Sequence, residues 1–543
     1  MTRAPETHDL VIRGGTIYDG SGAAPVAGDV AIDGDTLAAF GPRVDGRGRT
    51  EIDATGLAVA PGFINMLSWA AEPLIADGRS QSDIRQGVTL EVFGEGVSLG
   101  PLSESMKHTQ RERQSDITYD ITWTTLDEGL EYLVRRGVAC NVGSFVGATS
   151  LRVHEVGYAD RRPSTEELTR MRALAAQAME DGAFGIGSSL IYAPACFAAT
   201  DELIALAEVA AMYGGMYISH IRNEGERLLE AIDEFVGICR QSGAPGEIWH
   251  FKASAPRNWH KFDAAIERVN AARAEGVRIT ADMYTYHASS TGLDATMPGW
   301  VQEGGHQAWV ERLKDPAVRG RLRHEMAGDH TGNEFVSAER ILLVSFRNEA
   351  LRHLTGKSLA EVAAMRGTSP EDTIMDLVVE DDSRVGSVFF TMSEDNVRTA
   401  VGLPWVSFCS DSGSLAPEGV FLNSGTHPRA YGSFARLLAK YVRDERVIPL
   451  EEAVRRLTSF PAETLGIRRR GRLAPGNYAD VVVFDPTTIQ DHATFERPHQ
   501  YATGVEHVLV NGVPVLRDGE HTGATPGRVV RGPGYRGRGR TGS

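Results

Sequence analysis

The sequence predicts an α/β fold: a (β/α)8 barrel joined to a small β-sandwich domain built from both chain ends, with an insertion over the barrel mouth. Three observations predict it. Apolar strand-like runs alternate with helical patterns eight times through the middle of the chain. Both ends are β-rich and broken by Gly and Asp turns. One connection, between Tyr286 and Ile341, is too long for a simple loop.

The N-terminal runs DLVIRGGTIYDG, DVAIDGDTLAAFG and TEIDATGLAVAPG place the first part of the β-domain at residues 1–60. The barrel is expected over 61–465. Its strands are read in VAPGFINML, VTLEVFGE, VACNVGSFVG, AFGIGSSL, MYISHIR, EIWHFKAS, VRITADMY and PWVSFCSD. Helical patterns such as STEELTRMRALAAQAMEDG and DELIALAEVAAMYGG lie between them. A doubly wound sheet is the alternative, but no Gly-rich phosphate fingerprint follows the first strand, and GEGVSLGP fits neither a P-loop nor a dinucleotide turn. The insertion, at about 287–341, is either a lid or surface decoration. YADVVVFDP and GVEHVLVNGVPVLRDGEHTG return to the β style and complete the terminal domain at 466–530, because chain ends often lie close together. The Gly/Arg-rich residues 531–543 are expected to be a flexible tail.

Composition narrows the class. Of 543 residues, 42% are hydrophobic and 24% charged, as in an ordinary globular enzyme. A net charge of -16 argues against a nucleic-acid partner. The four cysteines, Cys140, Cys196, Cys239 and Cys409, form no Cys-x-x-Cys pair and no disulfide framework. The start MTRAPETHDL has no apolar signal core, and no run of ~18 apolar residues suggests a membrane span. A cytoplasmic protein with no membrane partner is expected.

Barrel chemistry sits at the C-terminal ends of strands. The second run ends at Glu95 and the fifth at His220. The sixth carries His250 and Lys252, the seventh ends with Asp282 and Tyr284, and the eighth at Asp411. A lone strand-end histidine is commonly a hydrogen-bonded structural residue. Two on adjacent strands, with carboxylates nearby, point instead to a metal. A Glu in an apolar strand is costly to bury unless a metal, Lys252 or Arg222 offsets its charge. Two imidazoles and a carboxylate suit zinc, with manganese or iron as alternatives. Asp411 is read as the general base and acid for metal-activated water; its bland alternative is a helix N-cap in Ser-Asp-Ser.

These stretches resemble the amidohydrolase superfamily, and within it the N-acyl-D-amino-acid deacylases, or D-aminoacylases. The resemblance covers nearly the whole chain. It is carried by LVIRGGTIYDGSG, APGFIN, GVTLEVFGEGVSLGP, GSSLIYAP, YISHIRNEGE, HFKAS, MYTYHASSTGL, SDSG, THPRAYGSFARLLAKYV and GRLAPGNYADVVVFDP, among others. It implies a metal-dependent amidohydrolase that cleaves the amide of small-molecule N-acyl-D-amino acids. One Zn2+ per chain would be held by His220, His250 and, in place of the family's cysteine, Glu95. It implies Asp411 as the catalytic acid-base, and Lys252, Tyr284, Arg429 and Ser290 as contacts to the substrate carboxylate.

The chain departs from that pattern in one place. Where the family has Asp followed by His-x-His, it reads Asn65, Leu67 and Trp69. A second metal site is therefore expected to be absent or weak, and Trp69 is expected to line the pocket and stack on an acyl group. The fourth strand also lacks the bridging Lys of binuclear relatives, which counts against a hydantoinase or dihydroorotase. Two alternatives stay open: an amidohydrolase acting on another amide, cyclic imide or natural-product intermediate, and a non-catalytic binding homologue.

Overall fold

In the computed structural model, which describes residues 7–327 and 336–537, eight parallel strands close into a barrel. They are β1 (Phe63–Asn65), β2 (Val88–Phe93), β3 (Asn141–Ser144, resumed at Val146–Gly147), β4 (Gly185–Ser189), β5 (Met216–His220), β6 (Gly246–Ile248), β7 (Ile279–Met283) and β8 (Val406–Phe408). Each pairs in parallel with the next through β7, and β7 pairs with β8. The ring shuts where Met66 N donates to Phe408 O (3.4 Å) and Asp411 N to Leu67 O (2.9 Å). The strands are buried on both faces, which is why each reads in the sequence as a nearly unbroken apolar run.

The intervening helices form where the sequence marks their ends. Thr165–Asp181 starts in a capping box: Ser164 Oγ accepts from Glu167 N at 3.2 Å, and the Glu167 carboxylate accepts from Ser164 N at 2.7 Å. It ends at Gly182, whose left-handed φ of 104° terminates the helix.

The chain ends meet in one nine-stranded sheet. Thr7–Ile17 pairs with Val26–Asp33, Arg47–Asp53 and Ala58–Pro61, and Ala58–Pro61 pairs antiparallel with the C-terminal Val481–Phe484. Leu10, Ile32, Val59, Val481 and Leu509 share its core, so side chains from both chain ends seal one apolar interior. Only Gly62 separates the last N-terminal strand of this sheet from β1.

Two expectations need correction. The insertion is longer than 287–341. Between β7 and β8, Ser289–Gly292, Gly386–Phe389 and Ile341–Ser345 form a separate antiparallel sheet. It has its own core, which includes Leu293, Trp309, Leu343, Ile374 and Phe389. Gly386–Phe389 is the central strand, pairing with Ser289–Gly292 on one side and Ile341–Ser345 on the other instead of entering the barrel, so the inserted unit runs past Ile341 to Phe389. The tail, expected to be flexible from 531, is docked as far as Arg536. Arg531 pairs with Asp127 and Glu131, and Arg536 N donates to Glu180 O at 3.1 Å. Residues 538–543 lie outside the described residues. Among the described residues no helix is long and apolar enough to cross a membrane.

Candidate metal centre

The C-terminal rim of the barrel gathers the predicted ligands. β2 is followed by Gly94 and Gly96, with φ of 111° and 71°, on either side of Glu95. Such backbone is cheap only for glycine, and it turns the carboxylate across the barrel mouth. His220 ends β5, and His250 follows β6 with a φ of 37°, a conformation that costs a side-chain-bearing residue energy and clusters at functional sites. His250 N is held there by Asp282 Oδ1 at 2.7 Å.

The three side chains converge on one point. Glu95 Oε1 lies 3.0 Å from His220 Nδ1 and 3.2 Å from His250 Nε2, and one ligand atom from each residue falls within 4.8 Å of the others. All three are buried. Burial alone would raise the Glu95 pKa; the two imidazoles overcome it and hold the carboxyl well below its usual range. On His250, burial and Lys252 push the pKa down, but hydrogen bonds to Glu224 and Glu95 win and raise it to about 10. A metal at this nitrogen would have to displace that proton.

Behind the imidazoles sits Glu224, a residue the sequence reading did not single out. It is 1% exposed. Its Oε1 lies 3.2 Å from His250 Nδ1 and its Oε2 3.6 Å from His220 Nε2. With Nε2 of His250 and Nδ1 of His220 as ligand atoms, Glu224 lies on the far-nitrogen side of both rings, close to His250 and beyond hydrogen-bond range of His220. Lys252 and the imidazoles hold the Glu224 carboxyl low against burial. The signal was present in SHIRNEGE, where Glu224 follows His220 by four residues.

Opposite stands Asp411, just beyond β8, with a φ of 49°. Its Oδ2 is 2.7 Å from Arg429 Nη1, and its Oδ1 accepts from the Trp69 indole at 3.1 Å. Burial raises its pKa and the Arg429 charge opposes that. Leu67 is fully buried, and Asn65 donates to Asp83 (3.1 Å) and Ser410 (2.8 Å).

The residues predicted to grip a substrate carboxylate are placed unequally. Arg429 Cζ stands 4.4 Å from the centre of the Tyr284 ring, and its Nε has no hydrogen-bond partner among the described residues. Lys252 Nζ faces Glu224 (2.7 Å) and His250 Nδ1 (2.8 Å). Arg222 pairs with Glu234, so neither cation considered for Glu95 is its partner. Ser290 differs from expectation: its hydroxyl donates to Ser387 O at 3.0 Å, and it is its carbonyl that meets Arg429. Ser290 is the second residue of the inserted sheet, and sheet pairing decides where its hydroxyl points.

The comparisons with known proteins give the family. The model described as "Amidohydrolase family" matches residues 155–516, more than half of the chain. The chain belongs to the amidohydrolase family. It is 32% identical over 534 residues to a D-aminoacylase of Alcaligenes xylosoxydans xylosoxydans, covering 96% of this chain and 97% of the relative. It superposes on an N-acyl-D-glutamate deacylase from Bordetella bronchiseptica, solved with zinc and a phosphonate mimic of the tetrahedral intermediate. That match has a TM-score of 0.78 and 30% identity, and covers 97% of this chain and 100% of that one. A D-aminoacylase structure described as binuclear, with one-metal activation and second-metal attenuation, gives a TM-score of 0.79 at 31% identity, over 96% of this chain and 100% of that one.

For this amidohydrolase chain the donor set fits a single cation. A carboxylate and two imidazoles converge, and their outer atoms meet Glu224. Three protein ligands with a position open to water match a catalytic zinc site. The wall beside His220 is Tyr192, whose ring lies edge-on at 5.6 Å and whose hydroxyl meets Thr291 of the inserted sheet at 2.8 Å. The insertion therefore touches the site from above.

Proposed function

We propose that this chain hydrolyses the amide of small-molecule N-acyl-D-amino acids, with one zinc held by Glu95, His220 and His250. One observation carries the reading: the meeting of Glu95 Oε1, His220 Nδ1 and His250 Nε2 across a buried mouth that also holds Asp411. The full-length similarity to a D-aminoacylase supports the substrate class.

When bound, the metal supplies Lewis acidity toward a carbonyl and acidifies a water. Asp411 takes the proton from the attacking water and returns it to the leaving nitrogen, so acyl acid and free amine are released. Arg429 opposes the effect of burial on Asp411 and, through its open Nε, faces the carboxylate of the substrate. The Tyr284 ring supports the guanidinium. Lys252 acts on the same side through Glu224 and His250. Together these contacts hold the amide in register with Asp411.

The test is a substrate panel on protein loaded with one zinc per chain. N-acetyl-D-leucine and N-acetyl-D-glutamate are set beside their L isomers and a cyclic imide. D isomers are expected to be cleaved in preference. Asp411→Ala is expected to keep its zinc and lose turnover. Zinc-loaded protein that cleaves none of the D substrates, or full activity in Asp411→Ala, rules the reading out.

A further inference from the structure

The indole N–H of Trp69 has an unusual assignment for a residue that is 43% exposed. It lies 3.1 Å from Glu95 Oε2 and 3.1 Å from Asp411 Oδ1. One donor thus joins the carboxylate beside the imidazoles to the carboxylate of the acid-base. The two acceptor oxygens lie no more than about 6 Å apart, because both touch the same nitrogen. Two buried carboxylates at that range repel unless something positive stands between them.

The backbone fixes this placement. Trp69 N donates to Ser412 O at 2.9 Å, and Asp411 N donates to Leu67 O at 2.9 Å. The segments carrying Trp69 and Asp411 are therefore stitched together where the barrel closes, on both sides of the indole. Glu95 arrives from the neighbouring strand with its two oxygens divided between neighbours, Oε1 facing the imidazoles and Oε2 the indole.

We propose that Trp69 is a positioning residue whose N–H stands where a second cation would otherwise bridge Glu95 and Asp411. The inference rests on the reading of Glu95 as a metal ligand and Asp411 as the acid-base. Indole nitrogen donates and has no lone pair to give a metal, and Leu67 beside it carries no donor atom. The same group that offsets the two negative charges therefore denies a second ion its ligands. It also ties the acid-base to the ligand shell, so the distance between them survives substrate entry.

The experiment uses the full chain loaded with one zinc. Indole N–H resonances are recorded by 15N–1H NMR, with Trp69→Phe assigning the signal. The Trp69 N–H is expected to exchange with water about tenfold or more slowly than an exposed indole; free exchange overturns the proposal. This measurement needs no turnover, so it stands apart from the fate of the proposed activity. In kinetics, Trp69→Phe, with its thermal midpoint checked against the parent, is expected to keep one zinc and lose about 10- to 100-fold in kcat with KM little changed. The parent is expected to stay at one zinc per chain in excess zinc, and Trp69→His to take up a second. A parent that binds two zinc ions, a Trp69→His variant that binds one, or a Trp69→Phe variant with the parent's kcat contradicts it.

Discussion

Arg429 Nη1 lies 2.7 Å from Asp411 Oδ2, and both side chains are buried at the barrel mouth. In the proposed function, this pairs the acid-base with the residue that would face the substrate carboxylate. Burial is the largest influence on Asp411 and raises its pKa; Arg429 lowers it. Asp411 works as a base only when ionised, so activity falls as the pH drops through its pKa. Removing the guanidinium leaves burial unopposed. Arg429→Ala is therefore expected to move the acid limb of the kcat/KM profile to higher pH and to lower kcat/KM by at least about tenfold. Arg429→Lys should fall between, because an ammonium restores charge without the two-pronged fork. A pH profile that keeps its limb in Arg429→Ala would separate the two residues' roles.

Glu224 makes a different kind of claim, about affinity. It faces Nδ1 of His250 at 3.2 Å and Nε2 of His220 at 3.6 Å, with Lys252 neutralising it at 2.7 Å. Partners of this kind fix ring orientation and raise ligand basicity. Glu224→Gln keeps the shape and loses the charge. Its zinc affinity is expected to drop about 10- to 100-fold, or roughly 1.4–2.7 kcal/mol, in competition with a chelating dye. Unchanged affinity would mean the imidazoles are held by packing alone.

The barrel and the convergence of the candidate ligands were legible in the sequence because each depends on local pattern. Parallel strands buried on both faces give apolar runs, and the residue that ends a run is delivered to the rim; Glu95, His220, His250 and Asp411 all follow from that rule. Long-range pairing was not legible. Ile341–Ser345 and Gly386–Phe389 look like strands of any sheet, and only their pairing with each other and of Gly386–Phe389 with Ser289–Gly292 decides that they belong to the insertion. The same limit hid the direction of Ser290's hydroxyl, the reach of Trp69's N–H and the docking of Arg531 on Asp127 and Glu131. Glu224 was hidden for another reason: a glutamate in a polar loop looks solvated until the fold closes over it.

A second acidic pair, Asp83 and Glu91, predicts how stability depends on pH. Both are fully buried beside β1 and β2. Their hydrogen-bond partners are neutral: Ser68 donates to Glu91 at 2.7 Å, Ser80 also donates to Glu91, and Asn65 donates to Asp83 at 3.1 Å. Burial raises both pKa values, and the Glu91 charge raises Asp83 further. In the unfolded chain these groups lose their protons at about pH 4. In the fold they keep them to higher pH, so between the two the native state binds more protons than the unfolded one. Stability therefore falls as pH rises above the ordinary carboxylate range. Asp83→Asn removes one of the two titrations and keeps a hydrogen-bonding side chain of similar size. The parent is expected to lose stability between pH 5 and pH 8 more steeply than this variant, measured as urea midpoints with zinc held constant. Parallel losses would show that the pair ionises in the fold as freely as in the open chain.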